Sequence, residues 1–182
     1  SIHDVWIEDG IAYSSNWSDG IVAVDIGGVK FDESDRSKSQ FNPLLVKAGK
    51  GSPSNPLKLA EMGDPTGRNH AAFPFLSQST GQFYVVGGDE NFPWGVMATQ
   101  GKPSNPRGGF HFLNFTDPEN PKEDAIYQVP EAGSHNLWVH GDTLIAGFYQ
   151  GGLRIVDISG ELLGDIYKQG REIGVYQSAH KE

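Results

Sequence analysis

HDVWIEDGIAYSSNWSDGIVAVDI, residues 3–26, returns without a gap as HNLWVHGDTLIAGFYQGGLRIVDI, residues 135–158. His3 aligns with His135, Trp6 with Trp138, Gly20 with Gly152, and the closing Val24-Asp25-Ile26 with Val156-Asp157-Ile158. A weaker copy lies between them. His70 and Phe73 reproduce its His-x-x-aromatic start, residues 82–86 its second apolar run, and GGFHFLNF, residues 108–115, stands where the Gly-rich entry to the third run belongs. Repetition at such a period marks a protein built of stacked, similar units.

Within the first copy, residues 3–8, 11–16 and 21–26 are short runs rich in β-branched and aromatic side chains, punctuated by Asp9-Gly10 and Ser18-Asp19-Gly20. That punctuation predicts antiparallel hairpins. A fourth short run follows each triplet, at residues 44–48, 124–129 and 172–177, so each copy reads as a four-stranded meander. LKLAEM, residues 57–62, is the segment that reads as a helical turn. The expected fold class is therefore all-β, a β-propeller of four-stranded antiparallel blades. Blade 1 is expected at about residues 1–48, an insertion at 49–69, blade 2 at about 70–130 with an insertion at 88–108, and blade 3 at about 131–177; Ser178-Ala179-His180 would start a further blade. Since propellers close with roughly 4 to 8 blades, the chain is expected to be a segment of a larger ring. More of the same longer chain, or less readily another copy, would complete it.

The balance of 14 basic against 23 acidic residues, net charge -9, excludes nucleic acid as the main partner, because polyanion binding needs clustered Lys and Arg. No run approaches the roughly 20 apolar residues of a membrane-spanning helix. Zero cysteines exclude disulfides and thiolate metal sites. There is no Gly-x-Ser-x-Gly elbow, HExxH helix or phosphate loop, so no catalytic residue is assigned.

The motif Leu153-Arg154-Ile155-Val156-Asp157, its counterpart Ile21-Val22-Ala23-Val24-Asp25, the preceding Gly and the His-x-x-Trp strand together resemble the LVIVD-repeat family of bacterial and archaeal β-propellers. Phe110-His111-Phe112-Leu113-Asn114 of the middle copy departs from the motif. The resemblance implies a ring of about seven blades and an extracytoplasmic setting, periplasmic, secreted or at the cell surface. It implies no catalytic residues.

In a meander the start of the first strand, the second-to-third loop and the fourth-to-first loop share one face. His3, His70, His135 and the expected fourth, His180, fall there. Two readings stand. The histidines converge near the channel and hold a metal ion or small ligand, imidazole suiting Zn, Cu, Fe and Ni; or each pins its own blade by bonding a loop backbone or carboxylate, which recurrence in every blade favours. Trp6, Phe73 and Trp138 are expected to fill the layer between adjacent blades, Asp25 and Asp157 to be structural acceptors in turns, and His111 to be incidental. In the second insertion Asp89, Glu90, Phe92, Trp94 and Met97 form a candidate partner-binding loop, since interfaces favour Trp and Met. The functional expectation is a non-catalytic scaffold without a required cofactor that binds a protein partner, as part of a membrane-anchored assembly. The alternative is a metal- or ligand-binding propeller using the channel histidines, including an enzyme.

Overall fold

The computed structural model describes residues 1–27, 41–63, 65–66, 68–90, 108–130, 132–149 and 151–177. It is all-β, with three antiparallel sheets of four strands in meander order. Sheet one is β1 (Asp4–Glu8), β2 (Ile11–Ser15), β3 (Ile21–Asp25) and β4 (Leu57–Met62). Sheet two is β5 (Asn69–Leu76), β6 (Phe83–Asp89), β7 (Phe110–Asn114) and β8 (Lys122–Tyr127). Sheet three is β9 (Ser134–His140), β10 (Thr143–Phe148), β11 (Gly152–Asp157) and β13 (Glu172–Tyr176); between its last two strands, β12 (Gly164–Asp165) leaves to pair in parallel with β8 at the edge of sheet two. Among the described residues no helix is long and apolar enough to cross a membrane.

The turns follow their residues. Asp9 and Gly10, at φ 52° and 71°, make the two-residue link between Glu8 and Ile11, the geometry that matches strand twist. Gly141, at φ 57°, opens the equivalent link between β9 and β10. The neighbouring Asp142 carboxylate accepts the backbone N–H groups of Gln78 and Ser79, both at 2.8 Å, and so ties the third sheet to the second.

Two expectations for the first unit are corrected. LKLAEM is the fourth strand, β4, paired along β3 from Asp25↔Leu57 to Ile21↔Met62, so sheet one extends into the segment read as an insertion. Its residues are helix formers, but ladder pairing and the contact of Leu59 and Met62 with the core override that weak preference. Residues 44–48 are not a strand: Pro43–Val46 is a 3-10 helix, capped by Asn42, whose Oδ1 accepts from Leu44 N at 3.0 Å and whose amide donates to the Tyr13 hydroxyl at 2.7 Å. Leu44 and Leu45 are thereby driven into the core.

The core has two parts. Ile11, Tyr13, Ile21, Leu44, Val85, Leu113 and Phe115 fill the space between sheets one and two, and Phe75, Tyr84, Phe110, Phe112, Tyr127, Leu144, Phe148 and Val156 that between sheets two and three. Each such side chain contributes roughly 1.5–3 kcal/mol by leaving water. Sheet two is covered on both faces, which explains why β5, β6 and β7 are buried almost throughout. Val5 and Ile7 of β1, and Leu153 and Tyr176 in sheet three, remain exposed.

Candidate functional site

The first strand of each sheet, β1, β5 and β9, carries the repeated His-x-x-aromatic pattern, with His3 just ahead of β1. Residues three apart on a regular strand point to opposite faces. In two of the three units a β-bulge lies in the interval: the register slips by one residue between Asn69 and Ala71 of β5, and again in β9 opposite Ala146 and Phe148. A bulge re-aims the side chain at its extra residue; β1 keeps an unbroken register.

The three imidazoles meet. His3 and His70 have ring centroids 4.4 Å apart, His70 and His135 4.3 Å. All three face Glu90, the residue after β6: His3 Nε2 is 3.7 Å and His70 Nε2 3.8 Å from Glu90 Oε2, and His135 Nε2 is 3.5 Å from Oε1. Ligand atoms of His3, His70 and Glu90 lie within 4.8 Å of one another. Of the two partners expected for a pinning histidine, loop backbone or carboxylate, the three rings face a carboxylate, and it is one shared by all three. His70 Nδ1 is buried without a hydrogen-bond partner.

Glu90 is held from two sheets. Its backbone N–H donates to Arg68 O at 3.1 Å, the Tyr149 hydroxyl donates to its Oε1 at 2.6 Å, and Ser134 Oγ donates to the preceding carbonyl of Asp89 at 2.9 Å. Trp17 lies edge-on to His3 at 4.5 Å and keeps φ at 54°, a conformation that favours glycine and costs a side-chain-bearing residue roughly 1–2 kcal/mol. A double backbone link to Asn69, with N···O distances of 3.1 and 3.3 Å, fixes it there.

Burial, then the positive fields of His135 and His3, push His70 below the ordinary imidazole value. Burial opposes the charge on Glu90, but the Tyr149 hydrogen bond and the three histidines outweigh it and hold its carboxyl below the usual range. At neutral pH the cluster therefore presents an ionised carboxylate and a neutral, unprotonated His70, the forms in which these groups bind metal.

One turn along the strands the aromatic tier also converges. Trp6 and Phe73 have centroids 4.5 Å apart, Trp6 and Trp138 5.0 Å, Phe73 and Trp138 5.1 Å. Phe73 belongs to the core between sheets two and three and Trp6 packs against both cores, while Trp138, at 49% exposed, is the ring of the three that the cores leave uncovered.

A second charged group lies behind Glu90. His111 is buried between two carboxylates, Nε2 3.1 Å from Asp89 and Nδ1 2.6 Å from Glu123, and Thr66 donates to the same Asp89 oxygen. Burial works against the imidazolium, yet both hydrogen bonds and both negative charges raise His111 to about 9. His111 is thus a buried cation, in place of the incidental residue expected. Asp25, fully buried, accepts backbone N–H bonds from Gly27, Gly49, Lys50 and Gly51 at 2.7–3.0 Å. Asp157 accepts from Ser159 N at 2.9 Å, and the Ser159 bonds hold its carboxyl below the usual range.

His180, Phe92, Trp94 and Met97 lie outside the described residues. Of the expected partner-binding loop, Asp89 is an interior residue bonded to His111, and Glu90 belongs to the histidine cluster. Glu90 as a fourth member and Tyr149 as its anchor were missed in the sequence; the available signal was Glu90's place at the end of the second strand, on the face that collects the histidines. No family model, curated protein or solved structure matches the chain.

Proposed function

We propose that the chain is a β-propeller segment that holds a divalent transition-metal ion at the axial end of its inner strands, with His3, His70, His135 and Glu90 as ligands. The observation that carries this reading is the convergence of three histidines, one from each sheet, on one carboxylate. Around an ion with bonds of about 2.0–2.1 Å, tetrahedral ligand atoms stand about 3.3 Å apart. His3, His70 and Glu90 already place ligand atoms within 4.8 Å of one another, and His135, 3.5 Å from the other Glu90 oxygen, would have to move further to join them. The donor set suits Zn, Cu, Fe or Ni. Exposed Val5 and Ile7 on the first sheet, and Leu153 and Tyr176 on the third, support a fuller ring in which further blades pack on both sides. Membership of the LVIVD-repeat family, and the extracytoplasmic setting it implies, rest on the repeated motif.

The test is the metal content of purified protein after zinc or copper loading and exhaustive dialysis. One equivalent in the wild type, lost in His70→Gln and Glu90→Gln but kept in the exposed-site control His140→Gln, is the expected outcome. Wild type without stoichiometric metal, or His70→Gln retaining it, would overturn the assignment.

A further inference from the structure

At the far end of β1, β5 and β9 from the histidine cluster lies a groove of about 540 Å³. Glu8, Leu76 and His140, the last residues of these strands, line it together with Trp6, Phe73 and Trp138. Its volume falls within the roughly 300–1,000 Å³ of small-molecule sites. Two features define what fits, and the first is aromatic surface. No two of the rings are stacked: Trp6 and Phe73 are inclined at 43°, Phe73 and Trp138 at 56°, Trp6 and Trp138 at 81°, so their faces look in different directions. The face of an aromatic ring attracts cations, that of an indole most strongly, and Trp138 keeps about half its surface free. The second feature is negative charge. Glu8 Oε2 accepts from Trp6 Nε1 at 3.1 Å, which holds the carboxylate beside the rings, and Glu8 Oε1 has no protein partner among the described residues. No lysine or arginine among the described residues lines the groove, and His140 is its one basic side chain.

We propose that this groove binds a small molecule with an alkylated ammonium head, seated against Trp138 and paired with Glu8. Charge excludes an anionic occupant, which would meet the Glu8 carboxylate and a chain of net charge -9. The choice among cations also follows from Glu8. A guanidinium is recognised through two parallel bonds to both carboxylate oxygens, and Trp6 already engages one of them. An alkylated ammonium is a single compact charge that needs no paired oxygens, and aromatic walls are the surface that recognises such groups. The site shares no residue with His3, His70, His135 and Glu90, so it stands or falls independently of metal binding.

The experiment follows the indole N–H resonances of the isotopically labelled protein, in chelator, as choline or its uncharged isostere 3,3-dimethylbutan-1-ol is added. Sodium chloride holds the ionic strength constant. Choline is expected to bind about tenfold more tightly than the alcohol. Trp138→Ala and Glu8→Gln should each cut that preference to about threefold or less, and Trp138→Phe, which still offers a ring face, should keep most of it. Trp138 stands outside both cores, so its truncation leaves the fold in place, which the remaining indole resonances report. Equal affinities for the two probes would show a groove that selects apolar bulk alone and would overturn the proposal. So would the absence of a saturable shift with choline, or a preference that survives both Trp138→Ala and Glu8→Gln.

Discussion

Replacing His111 with Gln removes a buried positive charge, and its effect on stability has a definite dependence on pH. His111 is 2% exposed and Asp89 is fully buried, so each partner relies on the other for solvation. The pKa of His111 rises from the usual 6.5 to about 9 on folding, held there against burial by Asp89 and Glu123. A folded value above the unfolded one means that the protonated imidazole stabilises fully below about pH 6.5 and that this stabilisation disappears as pH rises through about 9. At about 1.4 kcal/mol per unit, the complete contribution is about 3 kcal/mol, of which roughly 2 kcal/mol vanishes between about pH 7 and pH 9. For a chain of this length each kcal/mol moves the melting temperature by about 2–4 °C, so the wild type should lose about 4–8 °C over that interval. His111→Gln should melt lower at pH 7 and vary little above it. Few other groups intrude: burial, already lowering His70, leaves it unprotonated across the window, and burial pushes the Tyr13, Tyr84 and Tyr127 hydroxyls well above the usual tyrosine range. Thermal unfolding followed by near-ultraviolet circular dichroism, in chelator, reads both curves. Parallel slopes for wild type and variant between about pH 7 and pH 9 would refute the buried imidazolium.

Metal at a hundredfold excess over its dissociation constant should stabilise the wild type by about 2.7 kcal/mol, roughly 5–11 °C in calorimetry, and His70→Gln should show no such shift. Asp25→Ala strips the acceptor from four backbone donors, and urea unfolding should report a loss of about 3 kcal/mol or more; a loss under about 1 kcal/mol would mean that water replaces the carboxylate. Gly51→Ala should be comparably damaging, because a Cβ there overlaps the Asp25 carbonyl, and soluble yield together with melting temperature will show it. Asp142→Ala removes two exposed bonds between adjacent sheets and should cost only about 1 kcal/mol in the same unfolding assay.

The meander was legible in the sequence because Asp9-Gly10 favours a tight hairpin turn, and because short apolar runs such as β3, with three β-branched residues in five, recur between such breaks. The Asn42-Pro43 pair also carried a readable helix-start signal, a cap followed by proline, which the apolar run after it obscured. β4 was hidden for another reason: its strand character comes from pairing with β3, and no local preference of Leu-Lys-Leu-Ala-Glu-Met announces it. The histidines were legible through their recurrence. Glu90 occurs once, without counterparts in the other copies, so repetition could not flag it. His111 was passed over because its neighbours Phe110 and Phe112 are apolar; the opposite side of the same strand faces Asp89 and Glu123, which lie far along the chain.

β12 leaves its own sheet to add a parallel edge to sheet two, with Gly164 and Asp165 beside Ala125 and Ile126, Ile166 N donating to Ile126 O at 2.9 Å, and Ile166 fully buried behind it. An excursion of this kind makes an overlapping splice between consecutive modules, where the others merely abut. Sheets two and three are thereby joined by strand pairing as well as by side chains, whereas the main-chain bridge described between sheets one and two, besides their packed side chains, is Trp17–Asn69. Under mechanical pull or in native-state hydrogen exchange the second and third sheets should open as a single cooperative block, with the first peeling away earlier. The edge strand β8, otherwise a template for another chain's backbone, is at the same time shielded from aggregation.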